Sequence, residues 1–170
     1  MKQATPTALR ARRLRGFTFI ELMIALVILG VLVALAYPSY LGSIRKGRRA
    51  EAFAALSNVL QAQERHRSTR SAFTTLIIEA TTATPPGLGL PAVRTPSGYY
   101  DIGITLEGLG TTTYVATASA VTGTSQAADG DCSVLAIRVA GGNVRYGAGA
   151  TIAAIDWSGT NTDPQRCWAR

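Results

Sequence analysis

Glu21 is the one charged residue among the twenty from Phe17 to Ala36. An unpaired carboxylate in an apolar segment of that length costs roughly 2–4 kcal/mol in lipid, so its presence implies a counter-charge. Gly16 stands just before the run. It is preceded by Lys2, Arg10, Arg12, Arg13 and Arg15, with no acid before Glu21. A glycine there breaks the helix and lets the chain extend. Cys132 and Cys167 are the only cysteines, and they could be free buried thiols or a bridged pair. The other chemistry-bearing residues are sparse. A single histidine, His66, sits beside two arginines, and no Ser-His-Asp or Cys-His arrangement can be built around it. Asp129-Gly130-Asp131, Asp156 and Asp163 lack the ligand density of a calcium loop and read as turn-forming acids. Gly147 and Gly149 make no phosphate-binding motif. The expectation is a protein that is not an enzyme and has no cofactor and no metal.

The apolar run sets the architecture. Twenty residues at a rise of ~1.5 Å give ~30 Å of helix, enough to cross a bilayer. Leu, Ile, Val, Ala and Met occupy every face. Gly30 and Ala34 form a small-xxx-small step that lets helices approach closely. Pro38 removes the backbone bond to the Ala34 carbonyl and predicts a kink. An ordinary cleaved secretory peptide, cut near Ala34-Leu35-Ala36, fits less well. Its apolar region is usually only ~7–15 residues, and it lacks an acid. A simple signal anchor leaves Glu21 unexplained. Arg45, Lys46, Arg48 and Arg49 lie beyond the far end of the span, so charge counting alone leaves the orientation nearly balanced.

Beyond the span, Phe53, Leu56, Val59, Leu60 and Gln63 approximate an amphipathic helix stripe, with Arg65, Arg67 and Arg70 near its C-terminus. Residues 71–98 read as a long irregular connection rich in Thr, Pro and Gly, with a short helix or turn near Phe73–Ala80. Tyr100–Leu106, Tyr114–Ala118 and Val134–Val139 alternate with period two. Ala140-Gly141-Gly142-Asn143 is a hairpin signal leading to Val144-Arg145-Tyr146, and 118–130 reads as a loop. The expected fold class is α+β: one long N-terminal helix, membrane-spanning in its first half, packed on a three- to four-stranded antiparallel sheet. Net charge is +7, but five of the 17 Lys and Arg precede Phe17, leaving 12 against 10 acids. The strongly basic balance is therefore partly a targeting feature and weak support for nucleic acid.

The run Gly16-Phe17-Thr18-Phe19-Ile20-Glu21-Leu22-Met23, with Pro38 downstream, resembles the class III signal of type IV prepilins and type II secretion pseudopilins. The resemblance covers roughly residues 12–50. It implies that a membrane aspartic peptidase, the prepilin peptidase, cuts between Gly16 and Phe17 and methylates the new Phe17 amine. It further implies that Glu21 pairs with the N-terminal amine of a neighbouring subunit in the filament, and that Pro38 kinks the helix. On this resemblance the chain divides into a leader (1–16), a transmembrane and polymerisation half-helix (17–39), an amphipathic half-helix (40–70), a connecting loop (71–98) and a sheet with a C-terminal loop (99–170). Residues 40–170 would form the globular head, outside the inner membrane with the N-terminus inside.

In the oxidising space that such a topology implies, Cys132 and Cys167 would pair, which resembles the disulfide-closed C-terminal loop of pilins. Asp131-Cys132-Ser133-Val134-Leu135 and Cys167-Trp168 are similar to PilE-type minor pilins in particular. The function implied is a minor pilin that promotes pilus assembly. Its expected partners are the prepilin peptidase, other pilins, the inner-membrane assembly platform and membrane lipid. Twitching motility, adhesion and DNA uptake all remain open. DNA as a partner would need Arg94, Arg138, Arg145, Arg166 and Arg170 to converge on one basic stripe. The alternatives are a major pilin, a type II secretion pseudopilin and a membrane-anchored periplasmic binding domain.

Overall fold

The computed structural model describes residues 16–108 and 112–168. The leader residues 1–15, and with them its basic cluster, lie outside the described part. The chain divides into two compact units, Met1–Leu41 and Gly42–Arg170. One helix, α1 (Phe19–Thr69), contributes to both.

In the first unit α1 carries Pro38 inside it. Its large apolar side chains from Phe19 to Leu35 are all exposed, and its most apolar stretch has a mean hydropathy of 2.8. A helix segment that is apolar on every face and exposed on every face has lipid or other helices as its medium. The helix begins at a capped end. Thr18-Phe19-Ile20-Glu21 has the T-x-x-E spacing of a capping box, and the Glu21 N–H donates to Thr18 Oγ1 (3.3 Å).

The second unit has its own core. Four antiparallel strands follow α1: β1 (Tyr100–Glu107), β2 (Thr113–Ala120), β3 (Val134–Ala140) and β4 (Asn143–Gly149), in the order β1-β2-β3-β4. Two short 3-10 turns, Gly130–Cys132 and Ile152–Ala154, complete the regular structure among the described residues. Alternation puts Tyr100, Ile102, Tyr114, Ala116, Ala118, Leu135, Ile137 and Val139 into one core cluster with Ala52, Leu56, Val59 and Ala62 of α1. Alanines stand on both the helix and the strands, so the two layers can approach closely. The buried face of α1 is Ala52, Leu56, Val59, Ala62, Gln63 and His66. The expected stripe is thus rotated: Phe53 and Leu60 lie at its margin, half-buried.

Strand β2 runs two residues further than the sequence pattern suggests, because Ser119 and Ala120 keep their pairing with Asp101 and Tyr100. The β3–β4 turn is the two-residue Gly141-Gly142 loop, with φ of 55° and 83°. Positive φ at both central positions matches the twist of the flanking strands and favours glycine strongly. Residues 71–98 contain no helix, yet they are not loose. The buried Gln63 amide accepts from the Thr74 N–H (3.2 Å) and donates to the Thr74 carbonyl. Leu88 and Leu90 N–H groups bond to the Leu76 and Ile77 carbonyls.

The outer sheet face is covered as well. After β4 the chain crosses back over it, and Ile155 and Trp157 pack on Val115, Val134 and Ala136. Gly147 makes this possible: a Cβ there would lie 2.6 Å from Ile155 Cγ2 and 2.9 Å from Trp157 Cη2. Arg145 donates to the Trp157 and Gly159 carbonyls and ties down the crossing segment.

Candidate functional site

Among the described residues, chemistry-bearing side chains come together at the start of α1 and in the head, one place in each unit. In the first, Gly16, Phe17, Thr18 and Glu21 form the open start of α1. Gly16 and Phe17 are outside the helix and exposed. Among the described residues, apart from its chain neighbour, no atom lies within 4 Å of where a Gly16 side chain would begin. A peptide bond so placed is accessible, and the Glu21 carboxylate stands one turn into the helix beside it.

The second place is a cleft of about 690 Å³ in the head, lined by Lys46, Arg49, Phe53, Asp131, Gln165 and Arg166 beside the Cys132–Cys167 disulfide. Helix spacing of three and four residues puts Lys46, Arg49 and Phe53 on one face of α1. The Arg49 guanidinium grips Asp129 with two hydrogen bonds of 2.7 Å, and both side chains are largely buried. Hydrogen bonding to Asp129 raises the Arg49 pKa despite its burial. Gln126 donates to Asp129 and to the Tyr100 hydroxyl, which extends the network into the core. Burial pushes the Tyr100 phenol up to about 12, and the Asp129 charge adds to the effect.

The opposite wall is the C-terminal turn. The Asp163 carboxylate accepts the Cys167 and Trp168 N–H groups (2.8 and 2.9 Å). Trp168 stacks on Phe53, with ring centroids 4.7 Å apart, and donates from Nε1 to the Gly147 carbonyl (2.8 Å). The disulfide joins Cα atoms 5.5 Å apart. Between these ties Arg166 is held at φ 53°, unusual for a residue with a side chain. Neither Lys46 nor Arg166 has a carboxylate partner among the described ion pairs. Of the acids weighed for calcium, Asp156 and Asp163 are engaged with backbone N–H groups of their own turns.

Of the five arginines considered for a basic stripe, the four that are described do not converge. Arg138 and Arg145 are directly opposite each other on β3 and β4, on the outer sheet face. Arg138 pairs with Glu107, and Arg145 holds the crossing segment. Arg94 pairs with Asp101 at β1. Arg166 joins Lys46 and Arg49 instead, while Arg170 lies outside the described residues. The Lys46–Arg166 meeting was invisible in sequence, since 120 positions separate the two. The only local signal was the neighbouring cysteine.

Comparison with known families now bears on this geometry. A family model described as type IV minor pilin ComP, DNA uptake sequence receptor, matches residues 38–136. That is more than half of the 170-residue chain. A second, the prokaryotic N-terminal methylation motif, matches residues 11–37.

The chain belongs to the ComP family of type IV minor pilins.

No curated protein matches it. The ComP match selects a minor pilin and does not favour a major pilin, a pseudopilin or an anchored binding domain. The narrower PilE-type likeness rests only on the short motifs around the two cysteines. Pilins are a structural, non-enzymatic class. The methylation motif and the apolar helix fit a subunit anchored in the inner membrane that later enters the pilus. Family and signal together imply processing by a prepilin peptidase and contact with other pilins.

Proposed function

We propose that this minor pilin captures DNA for uptake, with the cleft between Lys46 and Arg166 contacting the phosphate backbone. The match of residues 38–136 to a family described as a DNA uptake sequence receptor carries this reading. The charge distribution supports it. From residue 42 onward there are 12 Lys and Arg against 9 Asp and Glu. Three arginines of this head are neutralised in the described ion pairs, and Lys46, Arg48 and Arg166 are not among them. Arg45 and Arg48 extend the positive edge along α1, and Arg48 also lies 3.7 Å over the Tyr99 ring. Unpaired cations around a cleft attract a polyanion without specifying sequence, so base readout must come from residues beyond this contact.

In the same reading the prepilin peptidase cuts between Gly16 and Phe17, Phe17 is methylated, and Glu21 pairs with a neighbouring subunit's N-terminus. The experiment for DNA capture uses the head from Gly42 onward, a compact unit with its own core. Gel shifts at several salt concentrations with a duplex should show binding that weakens with salt. Lys46→Ala and Arg166→Ala should each weaken binding to all duplexes alike and reduce the salt slope by about 1. Absence of a shift even at low salt would overturn DNA capture. Unchanged slopes in both variants would leave capture standing but remove the cleft from it.

A further inference from the structure

The start of α1 is set by Thr18. Its hydroxyl accepts the Glu21 N–H at 3.3 Å, and the first backbone rung of the helix is Leu22 N–H to the Thr18 carbonyl at 3.2 Å. Among the described residues the Gly16 and Phe17 carbonyls accept no backbone hydrogen bond. This has a direct consequence for the Gly16–Phe17 bond. The first N–H groups of any helix lack intrahelical partners, and in apolar surroundings they seek one strongly. The Glu21 N–H has two candidates: the Thr18 hydroxyl, which ends the helix, or the Phe17 carbonyl four residues back, which prolongs it. Prolongation would next engage the Gly16 carbonyl with the Ile20 N–H, drawing the bond to be cut into a helical turn. A peptidase must reach that carbonyl in an extended chain, so a helical form is not a substrate.

We infer that Thr18 is a positioning residue for leader removal: its hydroxyl caps α1 and keeps the Gly16–Phe17 peptide outside the helix and open to the peptidase. This rests on the reading that this bond is the one cut. Thr18 touches no reacting atom in this account. It sets the fraction of precursor that the enzyme can bind, and a reduced competent fraction raises the apparent KM in inverse proportion.

The test uses the full-length precursor in lipid vesicles with purified prepilin peptidase. Three chains are compared: the natural one, Thr18→Val, which keeps the shape and removes the hydroxyl, and Thr18→Ser, which keeps the hydroxyl. Serine caps helices at least as well as threonine, and valine does so poorly. The expected result for Thr18→Val is a KM raised by up to about fivefold with kcat unchanged, the equivalent of losing one N-cap. Thr18→Ser should behave like the natural chain. Equal KM for the valine and natural chains would overturn the inference, as would a fall in kcat at constant KM or a failure of serine to restore the rate. N-terminal sequencing separates the levels. If the natural product does not begin at Phe17, the cleavage reading fails and takes the inference with it. If it begins at Phe17 and valine is processed normally, only the inference fails.

Discussion

Removing Asp129 should unfold the head more easily than removing any surface acid. Arg49 and Asp129 meet through two hydrogen bonds of 2.7 Å, and their side chains are only 13% and 6% exposed. Breaking a buried pair by deleting one partner typically costs ~3–5 kcal/mol, because the remaining charge is stranded. Residual exposure of Arg49 toward the cleft puts Asp129→Ala near the lower end, about 3 kcal/mol. Arg49→Met should cost less, about 2 kcal/mol, since Gln126 still donates to the Asp129 carboxylate. With a urea m-value of ~2 kcal/mol per molar, the Asp129→Ala midpoint falls by about 1.5 M. Urea unfolding of the head from Gly42 onward, disulfide intact, measures this directly. The double variant should cost about 2 kcal/mol less than the two single losses added together, since the second deletion strands nothing new. If each single change costs under about 1 kcal/mol and the two simply add, the pair is a solvated contact. The account of how α1 is clamped to the 129–132 turn would then be wrong.

Three further outcomes are expected. Gly147→Val places a side chain where Ile155 and Trp157 sit, so the crossing segment should lift from the outer sheet face at a cost of about 1–3 kcal/mol. Limited proteolysis should then show new cutting between residues 150 and 160, and an unchanged digest contradicts the packing. The folded state holds the Tyr100 proton more tightly than the unfolded chain, with a pKa near 12 against an ordinary 10.0. Its contribution to stability is therefore complete below about pH 10 and is lost as pH climbs toward 12. Denaturation midpoints should fall over that window in the natural head and fall less in Tyr100→Phe. Glu21→Val should leave leader removal intact, because Thr18 caps the Glu21 backbone N–H and needs no carboxylate. It should still lower the amount of subunit in sheared filaments, and recovery at the natural level would refute the pairing role of Glu21.

Much of this protein is legible along the chain. The apolar run with one acid, and the Gly16 and Phe17 that open it, depend on neighbours in sequence and on the solvent around them. So do the alternating strands and the Gly141-Gly142 turn. Helix and strand periods, turn chemistry and capping are local, and local rules predict them. The rotation of the helix face was not local. Phe53 looked like core and lies at the edge, because Trp168 of the C-terminal turn stacks on it there, while small alanines face the sheet.

The crossing segment over the outer sheet face left only a faint trace, glycines at 147 and 149, whose meaning depends on Ile155 and Trp157 folding back. The same holds for the candidate DNA contact. Charge composition could say that the mature chain is mildly basic. It could not say that Arg94 and Arg138 are neutralised by carboxylates across strands and loops while Arg166, beside Lys46, has no partner among the described ion pairs. Which charges remain free is settled by who lies within a few ångströms of whom. Coulomb energies fall off with distance in space and take no account of distance along the chain.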